Sequence, residues 1–185
     1  MADLLYFIQY FMMGFFLKQG DDLLDESNNE RLAWITLGLS GILFGTMMTT
    51  TEWDLVLLAS IITGVMVSGK VNRVPFVAGF VMIGGVLLIC GLPVISNMLD
   101  FSALLFMLFM ASVLDEKGNV WADRNASPRA STFFRYRFTL KVTVILLSIP
   151  WPAFLPSAVG LWFFDGGYEA AGWIFRRLVI DYPTD

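Results

Sequence analysis

Long apolar runs separated by short polar connections occupy this chain from end to end. A helix that crosses a bilayer needs about 20 mostly apolar residues, within a range of about 17–25. Seven stretches approach that length, at residues 3–19, 32–50, 53–69, 74–97, 99–114, 136–152 and 157–175. The pattern therefore predicts an all-α fold, a polytopic membrane helix bundle of about seven transmembrane helices that forms a single integral membrane domain, 1–185. The fifth stretch is the weakest, because its apolar run is short.

Composition supports the bilayer as the solvent of this chain. Of its 185 residues, 57% are hydrophobic and 15% are charged, against about 25% charged residues in average soluble domains. The sequence has one cysteine and no histidine. These values exclude a disulfide scaffold, a nucleic-acid-binding domain, and any mechanism or metal site that needs imidazole.

The basic residues predict an orientation. With seven spans, all of them fall at or near one side: Lys18, Arg31, Lys70, Arg73, Lys117, Arg124, Arg129, Arg135, Arg137, Lys141, Arg176 and Arg177. The opposite side has four acids and no lysine or arginine. The positive-inside rule then places the N-terminus outside and the C-terminus in the cytoplasm. The expected location is the plasma membrane. Membrane lipids are the expected partners, because a basic cytoplasmic rim favours anionic headgroups or phosphate-bearing ligands.

Two acid-rich clusters lie on the predicted cytoplasmic side. The first runs from Gly20 to Arg31 and the second from Leu114 to Arg124. On continuing helices, their spacing of three or four residues aligns the carboxylate and amide oxygens on one stripe. Like charges stacked in this way repel unless a cation lies between them, and hard oxygen ligands suit Mg²⁺. The alternative is that the acids only make helix ends and connections polar.

The two clusters resemble the motifs of the UbiA-type intramembrane prenyltransferases. Residues 21–29 read Asp-Asp-x-x-Asp-x-x-x-Asn, similar to the family's N-D-x-x-D-x-x-x-D motif, and residues 115–123 read Asp-x-x-x-Asn-x-x-x-Asp, similar to its D-x-x-x-D-x-x-x-D-type motif. The first motif here begins with Asp and ends with Asn, and family members are longer. The resemblance implies Mg²⁺ ions that hold the diphosphate of a prenyl donor. The implied metal-binding residues are Asp21, Asp22, Asp25, Asn29, Asp115, Asn119 and Asp123.

Other charged residues complete the hypothetical site. Lys70 and Arg73, with Asn72 between them, lie in a short cytoplasmic connection, and they either neutralise a diphosphate or only set topology. Asp165 and Glu169 share one face of the seventh span, where we expect Lys141 to approach them. That contact is either an ion pair that fixes helix register or the polar floor of a phosphate or ion site.

The leading interpretation is a Mg²⁺-dependent intramembrane enzyme that transfers a prenyl group from an isoprenoid diphosphate to a lipid or aromatic acceptor. In it, Lys70, Arg73, Lys141, Asp165 and Glu169 are the catalytic candidates. The diphosphate-binding candidates are Asn72, Arg124 and Arg137. The first alternative is a small cation transporter or channel that uses the two acids of the seventh span. The second is a lipid-binding membrane subunit without catalytic activity.

Glycines predict close helix packing in the second span. Gly38, Gly41 and Gly45 share one helix face, and glycine at such spacing lets two helix backbones approach each other closely. Tight packing within a bundle is the interpretation that we favour for them.

Overall fold

Helices account for the regular structure of the chain. The computed structural model describes residues 3–27, 29–69, 73–124, 133–134 and 137–181. This part contains seven α-helices of ten residues or more and no β-strand. They are α1 (Leu4–Asp25), α2 (Glu30–Met48), α3 (Glu52–Val67), α4 (Phe76–Cys90), α5 (Met98–Arg124), α6 (Phe138–Leu147) and α7 (Leu155–Asp181), with a 3₁₀ turn at Pro152–Phe154. The predicted all-α fold is confirmed for the described residues.

Each of the seven apolar stretches contains one helix, but the lengths differ from the prediction. The fourth stretch becomes non-helical after Cys90, because Gly91 adopts a positive φ of 81° that ends the helix. The sixth helix has only 10 residues, about 15 Å at 1.5 Å per residue. The fifth stretch, which looked weakest, lies in a helix of 27 residues.

Among the described residues, two helices are long and apolar enough to cross a membrane: α2, and the part of α5 from Met98 to Ala122. Helices α4 and α6 are apolar but shorter. These two candidates fit a membrane protein, and the seven-span arrangement stays a prediction.

The chain divides into two compact units that alternate along the sequence. Unit 1 consists of residues 1–47, 73–91 and 159–185, and unit 2 consists of residues 48–72 and 92–158. Unit 1 therefore holds α1, α2, α4 and most of α7, while unit 2 holds α3, α5, α6 and the 3₁₀ turn.

Close backbone approaches hold unit 1 together. A Cβ added to Gly14 of α1 would overlap the carbonyl of Phe164 on α7, and one added to Gly41 of α2 would lie 2.7 Å from the Cα of Gly79 on α4. The hydroxyl of Ser40 on α2 donates to the carbonyl of Met13 on α1 at 3.0 Å. The close approach predicted for the α2 glycines is found at Gly41 and at Gly45, where an added Cβ would lie 2.7 Å from Cβ of Val86, while a Cβ at Gly38 would meet no described atom within 4 Å.

A buried carboxylate in unit 2 links the start of α3 to the first turn of α7. Asp54, near the start of α3, is fully buried. Its Oδ1 accepts a hydrogen bond from Ser157 and its Oδ2 accepts from Thr50 and Thr51, each at 2.7 Å. Three hydroxyl donors satisfy a charge that would otherwise be costly to bury.

Candidate functional site

The first acidic motif lies on the last turns of α1, and a lysine of the same helix neutralises it. Nζ of Lys18 lies 2.7 Å from Oδ1 of Asp22 and 3.4 Å from Oδ2 of Asp21. These pairs have the i,i+4 and i,i+3 spacings that bring side chains together on one helix face. The cation that offsets the repulsion between the stacked carboxylates is therefore supplied by the chain itself.

Helix α7 packs against this ion-paired group. The Tyr168 hydroxyl donates to Oδ2 of Asp21 at 3.4 Å, and the ring of Tyr168 lies 5.2 Å from the Lys18 ammonium. A Cβ at Gly172 would lie 3.2 Å from the Lys18 side chain, so the backbone of α7 is close to the group. Burial raises the pKa of the Asp21 carboxyl, and the charge of Lys18 opposes that rise.

The remaining residues of the first motif lie further from Lys18. The Asp25 side chain is 63% exposed, and its Oδ1 is 4.0 Å from the guanidinium of Arg73, which is also half exposed. Asn29 lies just before α2, and its Oδ1 accepts a hydrogen bond from the backbone N–H of Leu32 at 3.3 Å. Asn29 therefore acts as a helix cap, and the Asp25–Arg73 contact is an exposed ion pair.

The second acidic motif links α5 to α6. Asp115 is buried, with 1% of its surface exposed, and its two oxygens accept from the backbone N–H groups of Thr139 at 3.1 Å and Leu140 at 2.7 Å. These N–H groups belong to the first turn of α6, where backbone donors have no acceptor within the helix itself. The carboxylate therefore caps this helix from a neighbouring helix, and its negative charge also interacts favourably with the helix dipole.

Glu116, the residue next to Asp115, also links α5 to the start of α6, through an ion pair. Oε1 of Glu116 is 3.6 Å from a guanidinium nitrogen of Arg137, and both side chains are mostly buried. Arg137 precedes α6 with a left-handed backbone, at a φ of 52°, a conformation that is uncommon outside glycine. This ion pair holds Arg137 against α5, and its role in binding a diphosphate stays a prediction.

The other residues of the predicted site are spread out or not described. Asn119 is half-buried one turn after Asp115, and Arg124 is exposed at the end of α5. Lys70 and Asn72 lie outside the described residues, as does the side chain of Asp123.

The motifs do not assemble a metal centre from the side chains that the structure describes, where no group of three or more acidic or cysteine residues could hold a metal ion. Oδ1 of Asp22 is already paired with the Lys18 ammonium, and both oxygens of Asp115 accept from backbone N–H groups. The first motif belongs to unit 1 and the second to unit 2. The joint Mg²⁺ site therefore stays a prediction.

The charged residues inside the predicted spans belong to different units as well. Lys141 is buried in unit 2, with its ammonium 5.9 Å from the centre of the Phe138 ring. Asp165 and Glu169 are half-buried on α7 in unit 1, four residues apart. Their contact with Lys141 stays a prediction, and so does the cation-transport function that depends on them.

The sequence interpretation missed the groups that pair with the carboxylates of the two acidic motifs. Lys18 was detectable, because its spacing to Asp21 and Asp22 is that of helical neighbours. The backbone donors that engage Asp115 lie 24 and 25 residues away along the chain, and no sequence signal identifies them.

No family model, no curated protein and no solved structure matches this chain. The resemblance to the UbiA-type prenyltransferases therefore stays a prediction from two short motifs.

Proposed function

We propose that this chain is a polytopic integral membrane protein of the plasma membrane, with its N-terminus outside and its C-terminus in the cytoplasm. The arrangement of the helices supports this, since every apolar stretch of the sequence contains one. No residue of α4 is buried within the chain, and Leu88 and Ile89 on this helix are 88% and 86% exposed. Apolar surface of this extent needs a lipid or protein environment to cover it.

Within the membrane, we infer that the acid-rich motifs are structural clamps, and that the protein is a lipid-embedded subunit without catalytic activity. The observation that carries this inference is the capping of α6 by Asp115, which engages both carboxylate oxygens with the chain's own N–H groups. A Mg²⁺ ion at Asp115 would have to compete with these donors. An ion at Asp22 would have to displace the Lys18 ammonium from a contact of 2.7 Å.

Binding of a prenyl diphosphate to Lys18 variants tests this inference. The full chain, purified in a nonionic detergent, is titrated with farnesyl diphosphate with and without Mg²⁺, and its thermal unfolding is recorded. We expect Lys18→Met to lower the unfolding temperature, because Asp22 then loses its counter-charge, and we expect no Mg²⁺-dependent binding in either protein. Lys117→Met is the matched control, because Lys117 is exposed on α5.

A Mg²⁺-dependent enzyme acting on an isoprenoid diphosphate is the second candidate. Helix α1 continues through Asp25, so Asp22 and Asp25 lie on one stripe, and Arg73 places a cation beside Asp25. In this function, Mg²⁺ would supply Lewis-acid stabilisation of the leaving diphosphate. Mg²⁺-dependent binding of farnesyl diphosphate, weakened by Asp22→Asn but not by Lys117→Met, would overturn the structural interpretation in favour of this one.

A further inference from the structure

Unit 2 contains a cavity that neither acidic motif contributes to. It has a volume of about 460 Å³ and lies where α3 and α5 begin. Ligand pockets typically measure about 300–1,000 Å³, so the cavity has room for a small organic group. Its walls combine acidic, aromatic and apolar side chains, and none of the described residues that line it is basic.

Two carboxylates from chain segments that are distant in sequence line this cavity. Glu52 of α3 accepts from the backbone N–H and from the hydroxyl of Ser96, both at 2.8 Å. Asp100 of α5 accepts from the side-chain amide of Asn97 at 3.0 Å. These donors are neutral, and in the described part of the chain neither carboxylate forms an ion pair with a lysine or arginine. Both therefore carry negative charge that no cation of the cavity wall offsets.

Aromatic rings and apolar groups form the rest of the wall. Trp53 and Trp151 line the cavity, together with Phe101, and the lining residues Val56 and Leu104 are fully buried. An indole face attracts a cation through its quadrupole, and this attraction strengthens where the cation is desolvated. A cavity lined by these carboxylates, by indoles and by apolar side chains is suited to a positively charged group that also carries alkyl surface.

A structural role explains only part of this arrangement. Acids in the first turn of a helix are stabilised by the helix dipole, and Glu52 also tethers the segment that precedes α5. Neither effect requires two tryptophans at the wall or a space of this volume.

We propose that this cavity binds an organic ammonium group, with Glu52 and Asp100 as its counter-charges and Trp53 and Trp151 as its cation–π partners. The group belongs either to a free alkylamine or to the headgroup of a zwitterionic lipid, and the chemistry of recognition is the same in both cases.

Calorimetric titration of the full chain in nonionic detergent with tetramethylammonium chloride tests the proposal, with sodium chloride as the reference titration. We expect saturable binding with a dissociation constant of about 1 mM or tighter. Glu52→Gln and Asp100→Asn should each weaken it about tenfold, and Trp151→Leu should weaken it about fivefold. Glu30→Gln, which removes an exposed acid of unit 1, should leave it unchanged.

Two further arms separate the proposal from a tethering role and distinguish the ligand sources. Ser96→Ala removes the hydroxyl donor to Glu52 but keeps both charges, so it should retain binding if Glu52 acts through its charge. If the source is a lipid, dihexanoylphosphatidylcholine competes with tetramethylammonium and dihexanoylphosphatidylglycerol does not; if it is a free amine, neither lipid competes and ethylamine does. Absence of saturable binding, equal competition by sodium, or affinity unchanged in both acid variants would overturn the proposal.

Discussion

Replacing Asp115 with alanine tests whether the second acidic motif is a structural clamp. The carboxylate is 1% exposed and accepts from two N–H groups of the first turn of α6, at 3.1 and 2.7 Å. A hydrogen bond to a charged group contributes about 1.5–3 kcal/mol, and loss of a helix cap alone costs about 0.5–2 kcal/mol. Because these contributions overlap, we expect Asp115→Ala to lower the free energy of unfolding by about 3 kcal/mol.

The measurement is thermal unfolding of the purified full chain in one detergent at one heating rate. For a protein of about 150–250 residues, each kcal/mol corresponds to about 2–4 °C, so the midpoint should fall by about 6–12 °C. Asp25→Ala is the matched control in the other acidic motif. Its side chain is 63% exposed and only 4.0 Å from Arg73, so its loss should cost less than about 1 kcal/mol.

The competing hypothesis predicts the opposite sign. If Asp115 were a metal ligand held among repelling carboxylates, removing its charge would raise the unfolding temperature without metal. It would also abolish stabilisation by added Mg²⁺. A midpoint that is unchanged or higher in Asp115→Ala would therefore refute the clamp.

Two neighbouring pairs give the remaining predictions. A Cβ at Gly167 would overlap the Phe11 carbonyl on α1, whereas one at Gly166 would approach only the Phe11 ring, at 4.0 Å. Gly167→Ala should therefore destabilise the protein by about 1–3 kcal/mol and Gly166→Ala by less than about 0.5 kcal/mol, as measured by thermal unfolding. Equal effects of the two substitutions would contradict the close approach of α7 to α1. Asp22→Asn should cost about 2 kcal/mol, because it breaks the 2.7 Å ion pair with Lys18. Asp21→Asn should cost less than about 1 kcal/mol, because burial raises the pKa of this carboxyl. Since that pKa is higher in the folded than in the unfolded chain, the wild type should lose stability relative to Asp21→Asn as the pH rises through it. A wild type that gains stability relative to Asp21→Asn with rising pH would contradict this sign.

The chemistry of the acidic motifs was only partly predictable. Their helical spacing was, because α1 continues through Asp25 and α5 through Arg124. The need for a cation among stacked carboxylates was also correct in principle, but a lysine of α1 meets it in the first motif. In the second motif, backbone donors from α6 satisfy Asp115, and no spacing along α5 could have indicated them.

By itself, the sequence determined that the described part of the chain is helical, that each of its seven apolar stretches contains a helix, and which residues are chemically able to bind cations. These properties depend on hydrophobic run length and local spacing, which act within a few turns of one helix. Tertiary structure alone decided that Asp115 caps α6, that Ser157 donates to Asp54, and that Glu52 and Asp100 share a cavity with two tryptophans. The partners in these contacts are up to 103 residues apart, and hydrogen bonds at that separation depend on how helices pack rather than on how each one forms.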